Sequence, residues 1–511
     1  MTNASALFRS LLVYGLCLPL AVYLGYLLAN PLDLTTLGVV LVVLLVLAIP
    51  LLLRWHHLWL IATWNTTAVL FFVPGKPQVW MALAAISLTM CILQYALNRS
   101  MKFLSVPSVS RPVLFLTAVI LVTARLTGGI GFKAFGGDTY GGRNYVAVLA
   151  SIMGYFAIIN RRIPPKRAFF YVALFFLGAG TMAIINLPGV INPSFNFLFM
   201  LFPVESVDAL TEQNSVVVAA APYIGRVAGL AASGLAVFYT MLARYGIRGV
   251  LDTSKPWRFS VFCFFILVSM TGGYRGAFIT VCMVFALLFY LEGLQHTRLL
   301  VPVVFGFLAI VGLLGLFAPR LPLSIQRSLA VVPYIQIDPL VRMDAESSTG
   351  WRLEVWRRVL PEVPRYLIIG KGYGFSGAEQ AALRGTAEST DLVGNYHNGP
   401  LSVIIPFGLF GTIGLIWLVV AGLRMLHQNY QFGDPAYHHI NIFLFAFFVA
   451  KVVFFFLVFG SFHSDMPVFL GALALSVSLN GGAAKPVPVP RPKLVFNRFK
   501  LHPTVRRPVG A

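Results

Sequence analysis

The sequence predicts an all-α, polytopic helical membrane protein with about 14 transmembrane helices and one long extracytoplasmic loop containing short helices. Three observations predict it. Only 11% of the 511 residues are charged, against about 25% in soluble domains, while 58% are hydrophobic and mean hydropathy is +0.82. Apolar runs of spanning length, about 17–25 residues, recur along the chain. The basic residues behind the formal net charge of +21 lie mostly in short connections between those runs. Positive charge so distributed marks membrane orientation and excludes nucleic acid as the partner.

The runs fall near 10–29, 34–53, 58–74, 78–97, 112–127, 144–160, 168–187, 215–243, 257–274, 276–293, 299–318, 400–424, 440–460 and 466–480. The first resembles a signal peptide, but another run follows at once with no small-residue cleavage site, so it is kept as a span. Cys17, Cys91, Cys263 and Cys282 all lie in apolar runs without CxxC spacing, as small hydrophobic residues do.

With the N-terminus inside and spans alternating, the inside connections are 54–57, 98–111, 160–167, 244–258, 292–298 and 424–439, all carrying Lys or Arg. The outside segment 188–214 carries Glu205, Asp208 and Glu212 and no Lys or Arg. Both termini are then cytoplasmic and the long loop 319–399 is outside. The chain divides into N-terminal spans (1–255), a central region with the long loop (256–425), C-terminal spans (426–483) and a basic, Pro-rich cytoplasmic tail (484–511).

The stretch 347–411 departs from the apolar background, and it is where chemistry is expected. Thr349 is placed to cap a helix over 351–360, ended by Pro361 and Pro364, with Arg352, Trp356 and Leu360 on one face and Glu354 four residues from Arg358. Such a helix either lies on lipid or offers its arginines to phosphate. Gly370, Gly372 and Gly374 read as a tight turn, since neither a Rossmann nor a P-loop context surrounds them. His397 stands where the loop enters a span, either as a structural residue or as a group that takes a proton or donates to an oxyanion. Arg275, at an outside hairpin, either snorkels or serves function. Arg125, Arg226 and Lys451 also could line a cavity. The glycine-rich segment 127–144 is either a plain loop or backbone that approaches a ligand closely. Adjacent pairs His56–His57 and His438–His439 do not face one another, and no metal or other cofactor is expected.

The order of these pieces resembles the O-antigen ligase and O-antigen polymerase superfamily over about residues 260–425. The resemblance rests on Arg275 at a hairpin, Gly350-Trp351-Arg352 and Trp356 in a long loop, Gly370-x-Gly372-x-Gly374, and His397-Asn398 opening a span with Gly408 and Gly411. It implies a bacterial inner-membrane glycosyltransferase that moves a glycan from a polyprenyl-pyrophosphate donor to a glycan or lipid acceptor, without a metal. Arg275, Arg352 and His397 fall on the family's functional positions. Arg357, Arg358, Trp356, Tyr396 and Asn398 are candidates for substrate binding. The alternatives are a transporter or flippase of the lipid-linked glycan, marked by inverted repeats and midplane charges, and a non-catalytic assembly protein.

Overall fold

A computed structural model describes residues 53–73, 75–97, 106–131, 139–186, 193–203, 226–376 and 396–485, with scattered positions in 15–26. The first two expected spans, most of the acidic segment 188–214, the loop residues 377–395 and most of the basic tail lie outside the described residues. Among the described residues nine helices are long and apolar enough to cross a membrane. These include α1 (Val79–Leu97), α2 (Pro107–Leu126), α3 (Gly142–Ile159), α4 (Ala168–Leu177, extended by a 3-10 turn at Gly178–Asn186) and α5 (Ala228–Val250). Two shorter apolar helices follow, α6 (Pro256–Thr271) and α7 (Arg275–Leu291). Next come α8 (Leu300–Phe317), the short α9 (Leu323–Leu329), and α10 (Pro339–Val359). The last three are α11 (Leu401–Phe432), α12 (His438–Leu457) and α13 (Phe462–Asn480).

One expected span is not a single helix. The run 58–74 is helical only as far as residue 63. Beyond it Asn65 Nδ2 donates to Phe175 O at 2.7 Å, and Val69 pairs with Gln78 in an isolated bridge. The β-branched Thr66-Thr67 and the tertiary bonds of Asn65 outcompete helix continuation. The expected span 215–243 also shifts, its helix running from Ala228 to Val250.

Small residues let the bundle close. A Cβ on Gly234 of α5 would collide with Phe265 and Ser269 of α6, and one on Gly414 of α11 with Leu116 of α2. Close approach through glycine is the usual packing device where lipid supplies no hydrophobic drive. By contrast α8 buries no residue among those described.

α11 is broken, and the break positions the site. Pro406 has no N–H and Gly408 is left-handed (φ 62°, ψ −159°). Leu409 N, which an unbroken helix would send to Ile405 O, turns to Leu367 O at 2.6 Å, and Lys371 N and Gly372 N donate to Ile405 O at 2.8 Å and Pro406 O at 2.9 Å. Gly370 (φ 86°) and Gly372 (φ 71°) are left-handed as this requires. A Cβ on the first would strike the Pro406 carbonyl, and on the second Thr127 and Tyr145. The expected tight turn is thus a seam running along a broken helix. It continues as β2 (Phe375–Ser376), antiparallel to β1 (Thr139–Tyr140) with Tyr140 opposite Phe375. The described part of the glycine-rich 127–144 segment therefore packs on the seam rather than standing open.

Candidate active site

Arg275 is the first residue of α7, after Gly272, Gly273 (φ 74°) and an extended Tyr274. A cation at a helix N-terminus opposes the helix dipole, so this placement stabilises nothing by itself. The guanidinium reaches α10 instead, donating to Ser348 Oγ at 2.7 Å and Thr349 Oγ1 at 3.2 Å.

α10 begins twelve residues earlier than the sequence pattern suggests, at Pro339 rather than Trp351. Its cap is Asp338, whose side chain accepts from Leu340 N at 2.8 Å, with Pro339 in the first helical position. Thr349 is mid-helix and donates to Ala345 O at 3.0 Å. The inward stripe is Val341, Ala345, Ser348, Arg352, Val355 and Val359, at the three-and-four spacing of one helix face. Arg352 and Trp356 share this side as expected. Leu360 does not: it is exposed, in the 3-10 turn where Pro361 ends the α-helix.

Asp344, on the same helix, is the residue sequence reasoning missed. Its carboxylate accepts from Arg226 at 3.4 Å and from Arg327 Nε. Arg327, on α9 and only 3% exposed, also donates to Gly273 O in the hairpin that carries Arg275. Beside it Ser328 Oγ donates to Met270 O at 2.8 Å. The short α9 thereby clamps the Arg275 hairpin against α10. Asp338-Pro339 could have signalled the true helix start and so Asp344; nothing in Ser324–Leu329 marks Arg327.

His397 has a left-handed backbone (φ 50°), uncommon outside glycine. Its ring lies between Trp351 (5.1 Å between centroids) and Phe459 (5.0 Å), and Arg352 sits over that same Phe459 ring at 5.6 Å. His397 Nδ1 is buried and has no hydrogen-bond partner among the described residues. Burial first, and Arg352 second, push the imidazole down to about 4 from an ordinary 6.5. At neutral pH it is uncharged, the form that accepts a proton.

The guanidiniums of Arg226, Arg275 and Arg327 neighbour the single Asp344 carboxylate, and Arg352 stands beside Arg226 and Arg327. Arg352 has neither an ion pair nor a hydrogen bond among the described residues. Burial, then Arg226 and Arg327, press it below the ordinary arginine range. Arg327 is pressed down by burial and Arg226 against the pull of Asp344. A guanidinium does not give up its proton near neutrality, so the pressure persists as repulsion that an incoming anion relieves. Residues 259–416, which hold all of these groups except Arg226, match the family described as O-antigen ligase.

This stretch belongs to the O-antigen ligase and polymerase superfamily. The match runs from α6 into α11, across the region where the resemblance was expected, and the chain is a membrane protein related to polysaccharide biosynthesis. No curated protein matches the chain. Within the O-antigen ligase region the remaining expected site residues scatter. The indole of Trp356 donates to Tyr396 O at 2.9 Å, and both pack in a small core with Val355, Val359, Leu401 and Ile405. Asn398 Oδ1 accepts from Leu401 N at 3.1 Å, tying the start of α11. Arg357 and Arg358 are exposed, and Arg358 pairs with Glu354 at 3.5 Å. Of the three unranked cations only Arg226 joins the cluster: Arg125 is exposed at the end of α2, and Lys451 packs between Phe447 and Phe454 in α12.

Proposed function

We propose that the protein is a membrane glycosyltransferase of the O-antigen ligase or polymerase type. It moves a glycan from a polyprenyl-pyrophosphate donor to an acceptor hydroxyl at the outer face of the inner membrane, with both termini cytoplasmic. The observation that carries this reading is the surplus of positive charge, four arginines to one carboxylate, beside an uncharged imidazole. Arg275 and Arg352 hold the pyrophosphate, while Asp344 keeps Arg226 and Arg327 in the wall. The acceptor oxygen bonds to the anomeric carbon as the bond from that carbon to the pyrophosphate oxygen breaks. Charge developing on the leaving pyrophosphate is met by prepositioned guanidiniums. His397 takes or orients the acceptor proton. Donor binding itself prepares the base: an anion on Arg352 offsets one of the two causes that depress the imidazole.

Purified protein in bilayers, given lipid-linked glycan and acceptor, should yield extended product and free polyprenyl pyrophosphate at a rate insensitive to a metal chelator. Donor moved across the bilayer unchanged would instead identify a transporter and overturn this reading. A cysteine replacing the fully exposed Tyr334 tests sidedness, and should react with an impermeant thiol reagent in intact cells.

A further inference from the structure

A cleft of about 580 Å³ opens on the other side of Arg275, between residues 330–337 and the outward face of α10. It falls within the roughly 300–1,000 Å³ of small-ligand sites. Arg275 and Thr349 form one end; Arg342, Glu346, Gly350 and Tyr334 line the rest. None of these residues except Arg275 belongs to the anion site.

The chemistry of this cleft differs from that of the arginine cluster. Arg342 and Glu346 are four residues apart on α10, yet neither side chain has a hydrogen-bond or ion-pair partner among the described residues. Glu354 and Arg358, at the same spacing on the same helix, do pair. The order matters: Glu before Arg suits the helix, Arg before Glu does not. One planar donor fork and one planar acceptor therefore remain available in the cleft. Tyr334 is 100% exposed and left-handed (φ 72°), a costly conformation for an aromatic residue. An exposed ring beside unpaired planar polar groups suits a ligand with both C–H faces and hydroxyls. Beyond Arg275, the charges of Arg342 and Glu346 offset one another, so the cleft lacks the surplus of positive charge that draws an anion to the cluster and suits an uncharged group.

We infer that the cleft is a saccharide subsite, holding an uncharged sugar segment next to the pyrophosphate site, with Arg275 at the junction. This rests on the glycosyltransferase reading. The segment belongs to the donor glycan or to the acceptor glycan, and the test separates them.

Gly350→Leu is the decisive variant. A Cβ at Gly350 meets nothing within 4 Å, and leucine favours the helix more than glycine does, so the fold tolerates the change while the cleft fills. Two ligands are compared on protein in nanodiscs: polyprenyl-pyrophosphate-linked oligosaccharide extracted from native membranes, and polyprenyl pyrophosphate without sugar. The expected result is about tenfold weaker binding of the first with the second unchanged. Tyr334→Ala should act in the same direction by about threefold. An unchanged donor affinity with a raised KM for the acceptor glycan assigns the sugar to the acceptor and upholds the subsite. Equal weakening of both donor ligands, or no effect on donor and acceptor alike, overturns it. Failure of the unaltered protein to bind sugar-free polyprenyl pyrophosphate would overturn the arginine reading and this inference together; retained binding with no effect of Gly350→Leu overturns the cleft alone.

Discussion

The arginine cluster and the glycine seam lie in the same central region and solve opposite problems. At the seam backbone groups are paired across the break: Ile405 O takes Lys371 N, Pro406 O takes Gly372 N, and Leu367 O takes Leu409 N. At the cluster like charges are held together with one carboxylate among them, and Arg352 has no counterion among the described residues. A seam so satisfied gains nothing from a ligand. A cluster so unbalanced gains from an anion what it lacks alone. The difference separates backbone groups that satisfy one another from charged groups that an anion would balance.

Substitutions can break or sharpen that contrast. The largest effect is expected at His397. His397→Ala should lower turnover about 10²–10⁴-fold, the usual range for losing general acid–base help, while donor binding survives on Arg275 and Arg352. His397→Gln should keep part of the rate if the imidazole only hydrogen-bonds the acceptor. The pH dependence follows from the depressed pKa. The imidazole stays neutral in the fold down to about 4, so activity of the free enzyme should fall toward pH 4 rather than near 6.5. The unfolded chain takes up this proton first, so stability from this group is present above about 6.5 and lost as pH falls toward 4. A rate that already halves near 6.5 in the unaltered protein, absent in His397→Gln, would contradict the buried, neutral imidazole.

Asp344→Asn strips two arginines of their carboxylate. Asp344 is a third exposed, but its loss leaves the buried Arg327 guanidinium without a counter-charge, so thermal unfolding should shift downward; an unshifted transition would remove Asp344 from the clamp. Arg352→Gln should do the reverse. It relieves repulsion, so the unfolding temperature should hold or rise while turnover drops about 10²–10³-fold, as for loss of one transition-state donor. Loss of folded protein here would return Arg352 to a packing role. On the seam, Gly370→Ala places a side chain in a left-handed position against the Pro406 carbonyl. The backbone alone costs about 1–3 kcal/mol, and recovery of monodisperse protein should fall accordingly. Normal recovery would mean that the seam is not fixed as described. The smallest effect is expected from Arg358→Ala, whose exposed helical pair with Glu354 is worth about 0.3–0.5 kcal/mol; a large loss of turnover would move Arg358 into the donor site.

Much of this arrangement was legible in the sequence because hydropathy and charge spacing are read residue by residue. Arg275 and His397 stood out as polar groups at the ends of apolar runs and Arg352 as a cation of an amphipathic stretch; the fold ties Arg275 to α10 and brings Arg352 and His397 together on Phe459. Asp344 did not stand out. Its helix shows the core alanine, serine and arginine instead of a leucine stripe, so its apolar periodicity is weak and its start was placed at Trp351. Arg327 was invisible for another reason: its role depends on Gly273 and Asp344, 54 and 17 residues away, and only tertiary structure sets those distances. The break in α11 was written in Pro406 and Gly408, but the partners that repair it come from the loop.

The repaired break bears on how saturation mutagenesis of this chain would read. Loops usually tolerate substitution, so intolerance in one is commonly taken to mark a binding site. Gly370 and Gly372 would score as intolerant as His397, although their missing side chains make room for carbonyl, hydroxyl and ring. Activity selection alone would thus draw an active site shifted toward β2. A parallel screen for protein abundance would return the two glycines to the architecture and leave the histidine and its arginines as the residues depleted for chemistry.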